Sequence, residues 1–444
     1  MDAKLPPLVA IIGAGPAGLF AAKTLTAEGY RVVIFNRDIK PGGLAEYGIY
    51  PEKHKMKEGL RTQFRSILAS DQVCYLGNVT IGSGGDFSIG DILKMGFQAV
   101  LVTVGAQAEK RLGISGEDLE GVFHSKDVVY HYNKLPPFSK RPFHIGKRVA
   151  IIGVGNVMLD ISRWLIDNVK VHDIIAIARR GPAEVKFTRK ELEDVVGNLD
   201  MDQLNREIDR CSPAMVAVGQ NPDESKEIYR IACEKASSHD SPTRFTFRFL
   251  SSPRRIITDI YGRVAGLEVE ENKLVQQGTD VKASGIGKID TLPIDTVIFA
   301  IGDVVDQPLG LPVVNNRFEI DPNPEYPVDG ISYEIINRNT NYTGPKFFVG
   351  GWAREASTGV VGIARRDGTN AALAIKTYLE KNEISGEKQL DEVCSYVTSH
   401  IKKAVTYREI QKLEEEEQRM AVTLGVEEFK FDSNEKMIKF LKAK

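Results

Sequence analysis

Apolar and polar residues fall along this chain in blocks whose lengths alternate between strand and helix. Leu8 to Ile12 is an unbroken apolar run, of the length and β-branching of a strand buried on both faces. Leu19 to Ala27 follows as an Ala- and Leu-rich helical run closed by Gly29, and Arg31 to Phe35 is a second β-branched strand. Lys57 to Leu68 predicts an amphipathic helix with Leu60, Phe64, Ile67 and Leu68 on one face. Lys53-His54-Lys55 and Lys57 read as its solvated, charged side, and Leu44 to Tyr50 shows no regular period. Phe97 to Val104 is another buried strand, ended by Gly105-Ala106.

At Val149 the opening pattern restarts: strand Val149 to Ile152, glycine turn, helix, then strand Asp173 to Ala178. Glu184 to Arg255 is polar, helical in places and interrupted by Pro213, Pro222, Pro242 and Pro253. Ala265 to Glu270 and Thr296 to Ile301 read as strands, the latter ended by Gly302-Asp303. Lys346 to Gly351 is a last strand and Thr369 to Leu379 a helix. Beyond residue 385 the pattern is charged and helical, with the glutamates of Leu413 to Gln418 on a solvated face. Two βαβ units predict an α/β fold with two Rossmann-like dinucleotide-binding domains. The strand-then-glycine ends at Gly105 and Gly302 mark the crossings of a nested domain, 107–303, inside an outer domain split into 1–106 and 304–444.

Composition narrows the function. The 444 residues are 42% hydrophobic and 27% charged with a formal net charge of −2, which argues against nucleic-acid binding. No apolar run is long enough to insert into a membrane, and the first strand begins too early to leave room for a leader, so a cytoplasmic protein is expected. The four cysteines (Cys74, Cys211, Cys233, Cys394) include no C-x-x-C, so a redox-active disulfide, an iron–sulfur cluster and a bound metal are not expected. Electrons handled here need a bound organic cofactor.

The turns supply sites for one. Gly13, Gly15, Pro16, Ala17 and Gly18 form G-x-G-x-x-G between strand and helix. The first glycine permits the tight turn, the second lets the backbone approach a pyrophosphate, and the third allows close helix–strand packing. The second strand ends in Asn36 where the fingerprint has an acid for the ribose. The later copy has Gly153, Gly155 and Asn156, with Met158 in place of the third glycine, and its second strand ends in Arg179-Arg180. Guanidiniums at that point suit the 2′-phosphate of NADP rather than the free hydroxyl of NAD. The two units therefore predict two dinucleotides of different kinds.

Four segments resemble the adrenodoxin reductase family, which includes bacterial ferredoxin–NADP reductases of the same fold. They are GAGPAG with Pro41-Gly42-Gly43-Leu44 and Tyr47-Gly48; Gly153 to Arg163 with Asn156, Val157, Asp160 and Arg163; Arg179 to Pro182 with Phe187 to Leu192; and Gly351-Trp352 with Thr358 to Val361. The resemblance spans essentially the whole chain, including a C-terminal helix and loop around Val405 to Lys430. It implies FAD in the outer domain on Gly13 to Gly18, Leu44, Val79, Trp352 and, near the isoalloxazine, Gly359, Val360 and Val361, with Asn36 at the FAD-binding position where the family has Glu. It implies NADP(H), for the nested domain, on Gly153, Gly155, Asn156, Val157, Arg179, Arg180, Glu191 and Gly359. The family's P-D-H-P becomes Pro51-Glu52-Lys53-His54, which shifts the histidine by one, and His54 with Asp160 is the candidate proton relay.

The activity implied is hydride transfer from NADPH to the flavin N5, then single electrons to a ferredoxin-like, acidic iron–sulfur protein. Basic segments Lys140 to Arg148 and Arg244 to Arg255 are candidates for docking it. The alternatives are an NADPH-oxidising subunit of a larger complex, like the small subunit of glutamate synthase, and a flavin-bound sensor. The first carries a cysteine-rich N-terminal domain that this chain does not show, and Arg179, Arg180 and Glu191 argue against the second.

Overall fold

The computed structural model describes residues 5–236, 240–336, 344–355 and 361–443. They separate into two compact units: 1–109, 130–140 and 302–444 form the first, and 110–129 with 141–301 the second. The boundaries read from the sequence did not anticipate that 130–140 belongs to the first unit.

In the first unit, β1 (Leu8–Ile12) lies at the middle of a parallel sheet between β2 (Arg31–Phe35) and β4 (Ala99–Val102), with β3 (Val73–Gly77) beyond β2. Strand Lys346–Val349 extends the sheet beyond β4, and the short antiparallel Val405–Thr406 closes the β3 edge. Alternate residues of β1 enter two cores: Val9 and Ile11 with Leu19 and Val32, and Leu8, Ala10 and Ile12 with Val33 and Phe35. That two-sided burial is why the strand is apolar without interruption. Helix α1 (Pro16–Ala27) covers one face and packs so closely on helix Val361–Lys381 that a Cβ at Gly368 would strike the Ala17 backbone.

Helix α2 (His54–Leu68) starts three residues earlier than its apolar period suggests. Leu44–Tyr47, irregular in the sequence, is one short helical turn. Two readings of charged runs are corrected. Lys57 is only 1% exposed, and Glu417 is buried against Lys40, their charged atoms 2.5 Å apart. Cys74 on β3 and Cys394 on helix Leu390–His400 form a disulfide across a separation of 320 residues. Missing C-x-x-C spacing therefore did not preclude a link, because sheet topology brought distant cysteines together.

In the second unit, β5 (Val122–His124), Thr296–Phe299, β6 (Arg148–Ile152), β7 (Asp173–Ile177) and β8 (Arg244–Arg248) lie side by side in that order, all parallel. A three-stranded antiparallel sheet of Ser251–Thr258, Val264–Gln277 and Asp280–Leu292 packs on it through Ile256, Val264, Leu267 and Val269. The long hairpin was legible only at Ala265 to Glu270, because Asp280–Leu292 is exposed along nearly its whole length and carries no apolar alternation. Among the described residues no helix is long and apolar enough to cross a membrane.

Candidate functional site: two glycine turns

The first turn is built by steric need. Gly13 has φ +109°, and a Cβ there would stand 2.5 Å from the Thr103 carbonyl oxygen. Thr103 Oγ1 donates to Gly13 O at 2.8 Å, and Gly13 N–H donates to Phe35 O at 2.8 Å, tying the turn to two strands. A Cβ on Gly18 would collide with Gly13 O, so only glycine lets α1 approach this closely. A Cβ on Gly15 would meet nothing within 4 Å. Nothing among the described residues demands a glycine at Gly15, which fits a pyrophosphate seated against the helix N-terminus. Pro16 and Ala17 open the helix.

Two further turns close on this one. Gly42 N–H donates to Ala14 O at 2.8 Å, and Gly43 lies against Gly15, which places Leu44 at the start of the short helix beside it. Gly351 (φ +70°) packs on Ala17, its N–H donates to Asp367 Oδ2 at 2.6 Å, and the buried Arg354–Asp367 ion pair holds the half-buried Trp352 segment in place. Val79 is buried and its N–H donates to Asn36 O at 3.0 Å. Val361 opens its helix half-buried, while Gly359 and Val360 lie outside the described residues.

Asn36 has a specific reason to be an amide. Its Oδ1 accepts from Ala14 N–H at 3.0 Å, and its Nδ2 donates to Asp38 O at 2.9 Å and Lys40 O at 3.1 Å. A carboxylate could do the first but not the second. The residue braces the glycine turn with atoms that a ribose-binding acid would turn outward.

Beneath this cradle lies a charge network that sequence spacing did not reveal. Glu46 accepts from Arg61 at 2.8 and 2.6 Å and pairs with Lys430 at 2.7 Å, and Arg61 also reaches Glu428 at 2.5 Å. Burial alone would raise the Glu46 pKa, but Lys430, Lys40 and Arg61 outweigh it and hold the carboxyl well below its usual range. Lys57 Nζ donates to Asn133 Oδ1 at 2.9 Å, both side chains being buried. His54 stands at the start of α2 with Nε2 2.8 Å from Glu427 Oε2, and Asp160 belongs to the second unit.

The second turn repeats the first. Gly153 has φ +120° and its N–H donates to Ile177 O at 2.9 Å; a Cβ there would collide with Ala300 O, whereas one on Gly155 would meet nothing within 4 Å. Helix α3 (Asn156–Trp164) follows, with Met158 fully buried where the third glycine would be and Val157 42% exposed. Asn156 Oδ1 accepts from Thr188 N–H at 2.9 Å, which draws the segment bearing Glu191 toward the turn. Arg179 is exposed and Arg180 half-buried. Their carbonyls accept from Asn272 Nδ2 (2.7 Å) and Leu250 N–H (3.0 Å), so the backbone is pinned. Neither guanidinium has a carboxylate partner among the described residues.

That freedom is selective. Arg244 pairs with Asp173 at 2.8 Å, Arg248 with Asp290 at 3.2 Å, Arg254 with Glu270 and Arg255 with Glu268 at 2.7 Å. Lys140 pairs with Asp432, Arg141 with Asp127 and Arg148 with Asp295. Both segments read as docking patches therefore direct much of their charge to their own units.

Known proteins give this geometry a family. The profile described as pyridine nucleotide-disulphide oxidoreductase matches residues 7–319. The chain is 28% identical to the mitochondrial NADPH:adrenodoxin oxidoreductase of Salvelinus fontinalis, over 94% of this chain and 88% of that one. It is also 28% identical to the NADPH-ferredoxin reductase FprA of Mycobacterium tuberculosis, over 82% of each. The structure of that Mycobacterium tuberculosis protein in complex with NADPH superposes with TM-score 0.80 at 25% identity, covering 98% of this chain and 99% of the other. With the paired glycine turns and the profile covering most of its length, the chain belongs to the pyridine nucleotide-disulphide oxidoreductase family.

Proposed function

We propose that this chain is a FAD-dependent NADPH oxidoreductase that passes electrons between NADPH and a small acidic iron–sulfur protein of the ferredoxin kind. The carrying observation is the second glycine turn, open at Gly155 and flanked by the guanidiniums of Arg179 and Arg180, which have no carboxylate partner among the described residues. Relatives named as NADPH reductases of adrenodoxin and ferredoxin support the reading. FAD, when bound, supplies the hydride acceptor and the means of releasing electrons one at a time.

The protein's part is to bind and orient. Gly13, Gly15, Pro16, Ala17 and Gly18 present the α1 N-terminus to the FAD pyrophosphate, while Leu44, Val79, Trp352, Gly359, Val360 and Val361 are proposed to flank the rest of it. Asn36 acts on FAD through the turn it braces, by its bond to Ala14 N–H. Gly153, Gly155, Asn156 and Val157 receive the NADP pyrophosphate, Arg179 and Arg180 its 2′-phosphate, and Glu191 completes that site. His54, through Nε2, and Asp160 are the proton-handling residues proposed for the two units.

The test is an anaerobic titration of the flavin-loaded protein with NADPH and then NADH, followed by the visible absorbance of oxidised flavin. Bleaching at far lower NADPH than NADH is expected. Equal response to both, or no bound flavin after reconstitution, overturns the reading.

A further inference from the structure

The segment after Arg179-Arg180 carries a cation that the function above does not use. Lys186 N–H donates to Val154 O at 2.9 Å, inside the Gly153–Gly155 turn. On its C-terminal side Phe187 is buried against Tyr229 and Phe247, with ring centroids at 6.3 and 6.1 Å, and Thr188 N–H is held by Asn156 Oδ1. The backbone of 186–188 is thus fixed across the mouth of the turn. The Lys186 side chain is exposed and has no ion-pair partner among the described residues. The nearest acid in sequence, Glu184, spends its carboxylate on Gly181 N–H at 2.8 Å and on Gln220.

Resting on the NADPH reading, we propose that Lys186 is a second phosphate-binding residue of this site, and that it serves the pyrophosphate rather than the 2′-phosphate. The turn it overlies receives the pyrophosphate, whereas the arginines stand at the end of the neighbouring strand, where the adenosine ribose lies. A lysine ammonium on a flexible stem suits a diphosphate as a point charge, and the paired forks suit the terminal phosphate. The site then reads its two phosphate groups with different residues: Lys186 sets affinity for any dinucleotide, and Arg179 and Arg180 set the choice of NADP over NAD.

Calorimetric binding of NADP+, NAD+ and 2′-AMP to the flavin-loaded protein separates these roles without turnover. Lys186→Met is expected to weaken NADP+ and NAD+ by the same factor, about tenfold for one charge-assisted contact, and to leave 2′-AMP unchanged. Lys186→Arg is expected to restore most of the loss. Arg179→Ala is expected to do the opposite, weakening NADP+ and 2′-AMP and sparing NAD+. A Lys186→Met variant that weakens 2′-AMP, or that binds all three like the parent, overturns the proposal. Arginine variants that leave NADP+ and 2′-AMP unchanged would instead sink the NADP reading while an equal Lys186 effect on both dinucleotides still stood. If the parent binds neither dinucleotide, both fail.

Discussion

Lys57 gives a test in which the expected effect changes sign with pH. Its side chain is almost wholly buried, with Nζ bound to Asn133 Oδ1 at 2.9 Å. Burial above all, then the positive charge of Lys430, push its ammonium pKa from 10.5 down to about 7, against the opposing pull of Glu428 and Glu46. Between these values the unfolded chain holds the proton more tightly than the folded one, so stability rises with pH across that window. At the lower end the folded protein bears nearly the full penalty, about 4–5 kcal/mol by that difference. Lys57→Met keeps the volume and removes the charge, but takes the donor away from Asn133, at a cost of about 1–3 kcal/mol. The variant should therefore be more stable than the parent by about 2 kcal/mol near pH 7 and less stable than it near pH 10.5. Urea unfolding of both proteins by far-ultraviolet circular dichroism, at matched salt and saturating FAD, measures the difference, and the other alkaline titrations cancel in it. A difference that stays constant across that range would mean the ammonium is not held back in the folded state.

Three other experiments probe the rest of the molecule. Replacing Arg179 and Arg180 together by Ala removes contacts worth roughly 1.5–3 kcal/mol each to a charged group, so the NADPH KM should rise tens-fold or more with NADH use little changed; steady-state kinetics with an artificial acceptor reads this out, and equal loss with both coenzymes contradicts it. Gly15→Ala, where a Cβ meets only open space, should leave the apoprotein's melting temperature intact but loosen FAD, whereas Gly18→Ala should destabilise the apoprotein itself because of the collision with Gly13 O; matched melting curves with and without FAD distinguish the two. Glu46→Gln takes the carboxylate away from buried Lys430 and half-buried Arg61 and should cost about 3–5 kcal/mol at neutral pH. Because the Glu46 carboxyl is held below its ordinary value of 4.5, its contribution is present above that pH and is lost as pH falls below it. The difference between parent and variant should shrink in acid, as denaturation curves at descending pH will show.

Much of this protein is written locally in its sequence. The apolar block Leu8 to Ile12, buried on both faces, is legible in its own run of residues, the need for glycine at Gly18 follows from a short-range collision with Gly13 O, and the glycine pattern itself recurs at Gly153 and Gly155. Arg179 and Arg180 were legible because they end a strand whose register the glycine turn announces. What the sequence could not disclose depends on which distant segments meet. Lys57 and Glu417 look like solvated charges in one dimension, since helical spacing says nothing of a partner 76 or 377 residues away; only the packed unit buries them and supplies Asn133 and Lys40. The Cys74–Cys394 link has the same origin. Asn36 departs from the fingerprint because two carbonyls folded back from Asp38 and Lys40 require donors there. The segment Arg244 to Arg255 looked basic until the fold set Asp173, Asp290, Glu270 and Glu268 against it. Backbone conformation and strand burial are decided within a few residues; the net charge and protonation of a side chain are decided by what the tertiary structure places beside it.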